Sequence, residues 1–151
     1  MEIANFASIL TAMEKVRWGF IGAGYIAKLA LYPALLNSND GEIYAVGSKD
    51  VERGKSLSPS GLVYTDYDEL LADPKVEAIY ISLPNSLHIE WSIKAMRAGK
   101  HVLCEKPAAM NVAQLKEAIA VANETGLIFM EASWNRWHPR TIRLRKSLTQ
   151  G

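Results

Sequence analysis

One stretch restricts the fold of this chain more than any other: Val16-Arg17-Trp18-Gly19-Phe20-Ile21-Gly22-Ala23-Gly24-Tyr25-Ile26-Ala27. An apolar run ends in Gly-x-Gly-x-x-Ala and opens into Lys28-Leu29-Ala30-Leu31, which reads as a strand, a tight turn and a helix start. Gly22 permits the turn, Gly24 lets a phosphate approach the backbone with no Cβ in the way, and Ala27 is small enough for close helix–strand packing. A helix start also offers unbonded N–H groups to an anion. Taken alone, the loop is equally compatible with a plain strand–helix turn, so the rest of the chain has to decide.

The periodicity predicts five more strands, each followed by helix or loop. A helix over residues 25–36 ends in Asn37-Ser38-Asn39-Asp40-Gly41, and residues 43–48 form a second buried strand. The tip of that strand meets the adenosine ribose in dinucleotide-binding folds. Here it is Ser48-Lys49, with Arg53 one turn on; a small residue followed by a base tolerates a 2′-phosphate, so NADP is favoured over NAD. A register shift of two residues would instead make Asp50 the ribose ligand, and NAD the cofactor. A short strand at 62–64 follows, then a helix capped by Thr65 or Asp66 that carries Leu70 and Leu71 inward. The strand over 76–81 runs into Ser82-Leu83-Pro84-Asn85, where Pro84 turns the chain out of the sheet.

Asn85 or Ser86 is expected to cap a helix with Ile89, Ile93 and Met96 on one face and Gly99 beyond its end. His101-Val102-Leu103-Cys104 is the fifth strand and leads directly into Glu105-Lys106-Pro107. Asn111 caps a helix with Leu115, Ala118, Ile119 and Ala122 on one face, closed by Gly126; residues 127–130 are a sixth strand, and a basic helix runs from Arg140 to about Leu148. Alternating β and α with short connections calls for an α/β fold: a doubly wound parallel sheet of six strands.

Composition sets wider limits. In 151 residues with 49% hydrophobic and 22% charged content, one soluble domain is expected. The net charge of +1 gives no field that would favour nucleic acid or an acidic membrane. The single cysteine excludes an intrachain disulfide and fits a reducing, cytoplasmic setting. No apolar run approaches the ~18 residues of a membrane span, and residues 1–15 read as a short leader. The three histidines have no metal-ligand spacing, so no metal is expected.

The motifs in order resemble the N-terminal domain of the glucose–fructose oxidoreductase / inositol dehydrogenase (Gfo/Idh/MocA) family. They are the glycine loop, Ser48-Lys49, Leu83-Pro84-Asn85-Ser86-Leu87-His88, Ala98-Gly99-Lys100-His101-Val102-Leu103-Cys104-Glu105-Lys106-Pro107, and Glu131-Ala132 through Arg136-Trp137-His138-Pro139. The Glu131-Ala132-Ser133-Trp134 stretch is most similar to the dihydrodiol dehydrogenase branch. The resemblance implies a Rossmann domain over 16–139, a connecting helix over 140–151, and a nicotinamide cofactor exchanging a hydride with a sugar, polyol or diol hydroxyl. By position it implies that Gly22, Gly24, Tyr25 and Ile26 line the pyrophosphate. Ser48, Lys49 and Arg53 would meet the ribose, and Leu83, Asn85 and His88 would run along the nicotinamide half. Glu105 and Lys106 would sit beside the ring, with Trp134 and Arg136 closing the far side. Lys106 is the expected catalytic residue, since loss of a hydride from an alcohol must be accompanied by loss of the hydroxyl proton.

Plainer readings stand beside these: Lys106 in an ion pair, His88 as a packed or capping residue, His101 and Cys104 as structure, Trp91, Trp134 and Trp137 as core. Family members carry a second, substrate-binding domain with an Asp-x-x-x-His pair, which would begin where this sequence ends. The expectation is therefore an intact cofactor site with incomplete catalysis, taking a small-molecule substrate only with that second domain and leaving a face free for homo-oligomers. A stand-alone nucleotide-binding sensor is the alternative. A methyltransferase using the same loop would want an acid where Ser48 stands and would leave Glu105-Lys106-Pro107 unexplained.

Overall fold

A computed structural model describes residues 15–150, so the expected leader lies outside the described residues except for Lys15. The strands are β1 (Val16–Ile21), β2 (Gly41–Gly47), β3 (Val63–Tyr64), β4 (Ala78–Ile81), β5 (His101–Cys104) and β6 (Phe129–Glu131). They form one six-stranded parallel sheet in the order β3-β2-β1-β4-β5-β6, that of a doubly wound α/β fold. The chain divides into two compact units, which meet between Ala78 and Ile79.

In the first unit β1 and β2 pair from Val16 opposite Gly41 to Ile21 opposite Gly47, with a shift between Trp18 and Gly19. The start of β1 is tied to the approach to β4 by Arg17: its N–H donates to Glu77 Oε2 at 2.9 Å, and its Nε to the Lys75 carbonyl at 2.7 Å. Phe20, Ile21, Ala45, Val46, Leu57 and Leu70 are buried at the centre of this unit. The helix expected over 25–36 is two helices, α1 (Tyr25–Leu29) and α2 (Leu31–Leu36), broken at Ala30. Pro33 is the reason. It has no N–H to donate to the Leu29 carbonyl four residues back, and its ring would collide with that carbonyl in a continuous helix. Two short helices, α3 (Val51–Lys55) and α4 (Tyr67–Ala72), follow. Each is capped by an aspartate: Asp50 accepts from the Arg53 N–H, and Asp66 from the Asp68 N–H.

In the second unit the chain leaves β4 at Pro84, passes through a 3₁₀ turn (Asn85–Leu87) and enters α5 (His88–Arg97). Neither Asn85 nor Ser86 is the N-cap of α5. Leu87 holds that position without a side-chain cap, because the 3₁₀ turn uses backbone bonds instead, Leu87 N–H to the Pro84 carbonyl at 2.9 Å. Ile89, Ile93 and Met96 are buried as expected, and Gly99 follows with φ +81°. Asn111 caps α6 (Val112–Thr125) through the Gln114 N–H, and Gly126 closes it at φ +69°. The buried face of α6 is Ala118 and Val121. Leu115 and Ile119, expected inward, are partly exposed and line an open apolar cleft of about 440 Å³ with Met110, Val112 and Phe129. The basic C-terminal helix, α7, spans Pro139–Gln150. Among the described residues, no helix is long and apolar enough to cross a membrane.

Candidate functional site

In the first unit the glycine loop follows β1 directly. Gly22 has φ +97°, a conformation that disfavours any side chain, and its N–H donates to the Gly47 carbonyl at 3.0 Å, locking the turn onto β2. Ala23 and Ala27 are buried, Ile26 is half-buried and Tyr25 is exposed. Gly24 is the N-cap of α1, with an ordinary φ of −77°. A Cβ built on it would meet nothing within 4 Å, whereas a Cβ on Gly47 would lie 2.8 Å from Tyr67 Cδ1. Internal packing therefore explains glycine at 47 but not at 24. Gly24 borders open space, beside N–H groups at the start of α1 that no preceding helical turn can accept.

The tip of β2 is arranged by local hydrogen bonds. Ser48 is buried; its N–H donates to the Tyr64 carbonyl at 2.8 Å, and its hydroxyl donates to the Asp50 carbonyl at 2.7 Å. Ser48 thus shapes the loop, while Lys49 is exposed beside it. Asp50 is committed to α3: Oδ1 accepts from the Arg53 N–H at 3.0 Å, and Oδ2 lies 3.7 Å from the Arg53 guanidinium.

In the second unit four side chains converge on the segment after β5. Tyr80, in the middle of β4 and 1% exposed, donates its hydroxyl to Oε1 of Glu105, itself 9% exposed, at 2.7 Å. Glu105 Oε2 accepts from the Lys106 N–H at 3.3 Å. The Lys106–Pro107 peptide is cis. The Ala108 N–H donates to Glu131 Oε1 at 2.9 Å. His88, 1% exposed, lies with Nδ1 2.8 Å from the Pro107 carbonyl oxygen and Nε2 2.8 Å from the Leu83 carbonyl oxygen. The backbone on both sides of Lys106 is therefore pinned, while its own side chain is exposed. Among the described residues the Lys106 ammonium has no carboxylate partner.

Burial, followed by the bond to Glu105, pushes the Tyr80 hydroxyl far above its ordinary pKa, so it stays a donor to the carboxylate. Burial also pushes the Cys104 thiol up to about 12, against a lowering bond with Ser92, and keeps it inert. The sequence motifs include Glu131 without assigning it a role, and they leave out Tyr80. A tyrosine in a wholly buried strand needs a partner for its hydroxyl, and the acid in Glu105-Lys106-Pro107 was the available hint.

Leu83 is half-buried, and Asn85 is exposed in the 3₁₀ turn after β4. Trp134 and Trp137, expected in the core, are 69% and 62% exposed on a 3₁₀ turn after β6. The Arg136 guanidinium lies 5.8 Å from the centroid of the Trp137 ring, a cation–π distance. Trp91 is half-buried, with the Lys94 ammonium 4.1 Å above its ring. His101 is structural: its Nδ1 accepts from the Ile128 N–H at 3.1 Å.

The profile of an oxidoreductase family with an NAD-binding Rossmann fold, Gfo/Idh/MocA, matches residues 16–133. The chain is 44% identical over 131 residues to an uncharacterized oxidoreductase of Rhizobium meliloti, covering 85% of this chain and 39% of that protein. It is 36% identical over 140 residues to the trans-1,2-dihydrobenzene-1,2-diol dehydrogenase of Bos taurus, covering 90% and 42%. Among solved structures, the 3-ketoreductase KijD10 of Actinomadura kijaniata, crystallised with NADP and TDP-benzene, superposes with a TM-score of 0.84 at 37% identity, covering 91% of this chain and 43% of that one. The chain thus spans about two-fifths of the length of these relatives.

Proposed function

The chain belongs to the Gfo/Idh/MocA oxidoreductase family with its NAD-binding Rossmann fold, and from that premise we propose that it is the cofactor-binding part of an NADP-dependent oxidoreductase acting on a sugar, polyol or diol hydroxyl. The observation that carries this reading is Lys106: an ammonium without a carboxylate partner among the described residues, on backbone held from both sides. When bound, the nicotinamide ring supplies the acceptor or donor of the hydride. In the oxidation direction Lys106 acts as the neutral amine, takes the proton released from the hydroxyl and becomes the ammonium; in the reverse direction the ammonium's charge stabilises the oxygen of the carbonyl being reduced and gives that proton back to it. Glu105, anchored by Tyr80, keeps the turn in place.

The first unit fits a dinucleotide. Open space at Gly24 and the N–H groups of Gly24, Tyr25 and Ile26 suit a pyrophosphate. At the ribose, Asp50 is engaged by its own helix, which leaves exposed Lys49 to favour a 2′-phosphate. Arg53 adds charge once drawn from Asp50, and Ser48 contributes by shaping the loop. Leu83 and Asn85 line the nicotinamide half, with Trp134 and Arg136 on the far side; His88, expected beside them, is 1% exposed with both ring nitrogens on backbone carbonyls and offers a cofactor no surface. The α7 helix connects toward a substrate domain.

Two measurements test this. Calorimetric titration of the 151-residue chain should show binding of NADPH in preference to NADH; a folded chain that binds neither overturns the assignment. In the protein joined to its substrate domain, Lys106→Ala should remove most turnover and leave cofactor affinity little changed. Collapse of affinity instead would make Lys106 structural.

A further inference from the structure

His88 faces two acceptors. Its Nδ1 and Nε2 are each 2.8 Å from a backbone carbonyl oxygen, those of Pro107 and Leu83. A carbonyl oxygen only accepts, and a neutral imidazole carries one N–H. In a neutral ring, one of the two contacts would press a nitrogen lone pair against an oxygen at hydrogen-bonding distance. Both contacts are satisfied only when both nitrogens carry protons. The ring is 1% exposed, so bulk water does not replace either partner. We infer that His88 is a buried, doubly protonated imidazolium that clamps the exit of β4, at Leu83, to the turn that carries Lys106, at Pro107.

The other two described histidines provide contrast within the same chain. Nδ1 of His101 accepts from the Ile128 N–H, and Nδ1 of His138 accepts from the Arg140 N–H at 3.2 Å. Each of these rings must keep a bare nitrogen, and His88 alone has none to spare. On the same turn Glu105, two residues from Pro107, is buried with the Tyr80 hydroxyl and the Lys106 N–H as donors. Charge-assisted bonds are the stronger kind, which suits a joint that must hold two loops in register. His88 is thereby a positioning residue: it acts on Lys106 through the Pro107 carbonyl. That consequence rests on the role proposed for Lys106, whereas the charge on His88 does not.

The test is the ring nitrogen–proton correlation spectrum of the ¹⁵N-labelled 151-residue chain at neutral pH. His88 should give two nitrogen resonances close together, as a doubly protonated ring does, while His101 and His138 each give one protonated and one far-shifted bare nitrogen. A bare nitrogen on His88 overturns the inference. Two variants separate the arms of the clamp, because an Asn amide reaches where Nδ1 stood and a Gln amide where Nε2 stood. His88→Asn should preserve the carbonyl carbon shift of Pro107 and move that of Leu83, and His88→Gln should do the reverse. Both carbonyls unmoved in both variants also overturns it. Failure of Lys106→Ala to affect turnover would leave the His88 spectrum as it is, so the two readings fail separately.

Discussion

Tyr80→Phe probes the anchor of the proposed active-site turn with almost no change of shape. The hydroxyl lost is buried, and it donates at 2.7 Å to a carboxylate that also accepts from the Lys106 N–H at 3.3 Å. Hydrogen bonds to charged groups contribute about 1.5–3 kcal/mol, and burial of both partners places this one at the upper end, about 2–3 kcal/mol. For a chain of this length each kcal/mol lowers Tm by about 2–4 °C, so the variant should melt roughly 4–12 °C below wild type. Urea unfolding followed by circular dichroism should show a lower midpoint with an unchanged slope, the mark of altered stability without altered compactness. Glu105→Gln keeps an acceptor for Tyr80 but removes the charge, so the double variant should reveal a coupling of about 1–3 kcal/mol. A Tyr80→Phe loss under about 0.5 kcal/mol, the scale of a surface change, would refute the reasoning. So would an equal loss in the Glu105→Gln background.

Gly24→Ala should leave stability within about 0.5 kcal/mol, since its Cβ enters open space at an ordinary φ, yet weaken NADPH binding at least about tenfold in calorimetry. Gly47→Ala should instead cost about 1–3 kcal/mol in urea unfolding, because its Cβ would lie 2.8 Å from the Tyr67 ring. Lys49→Glu should reverse the preference for NADPH over NADH in the same titration; an unchanged preference would return the ribose to Asp50. Alkaline pH should destabilise the chain. Cys104 gives up its proton at 9.0 when unfolded but at about 12 when folded, and Tyr64 at 10.0 and about 12. A raised folded-state pKa adds stability that is complete below the unfolded value and drains away as pH climbs to the folded one. For buried Cys104 this amounts to roughly 4 kcal/mol, at about 1.4 kcal/mol per pH unit. Cys104→Ala should therefore flatten the fall of the urea midpoint between pH 9 and 12.

Much of the molecule was legible from local chemistry. The β–α alternation, the aspartate and asparagine caps at Asp66 and Asn111, and the glycine closures at Gly99 and Gly126 all depend on neighbours within a few residues. So does the break in the first helix, for Pro33 and the Leu29 carbonyl it cannot bond are four residues apart. The glycine loop and Glu105-Lys106-Pro107 were equally visible, because the motif residues are contiguous.

Folding in three dimensions decided what each side chain faces. Leu115 and Ile119 have the period of a buried stripe, but they line an open cleft, and Val121 packs inward instead. Trp134 and Trp137 have core composition and stand in solvent. Above all, the sequence places Tyr80 25 residues from Glu105, His88 19 from Pro107 and Ala108 23 from Glu131. Hydrophobic periodicity determines which segments become strands and helices. The partner of a buried polar atom is whatever donor or acceptor the packed strands bring within 3 Å, and no short-range pattern in the chain encodes that.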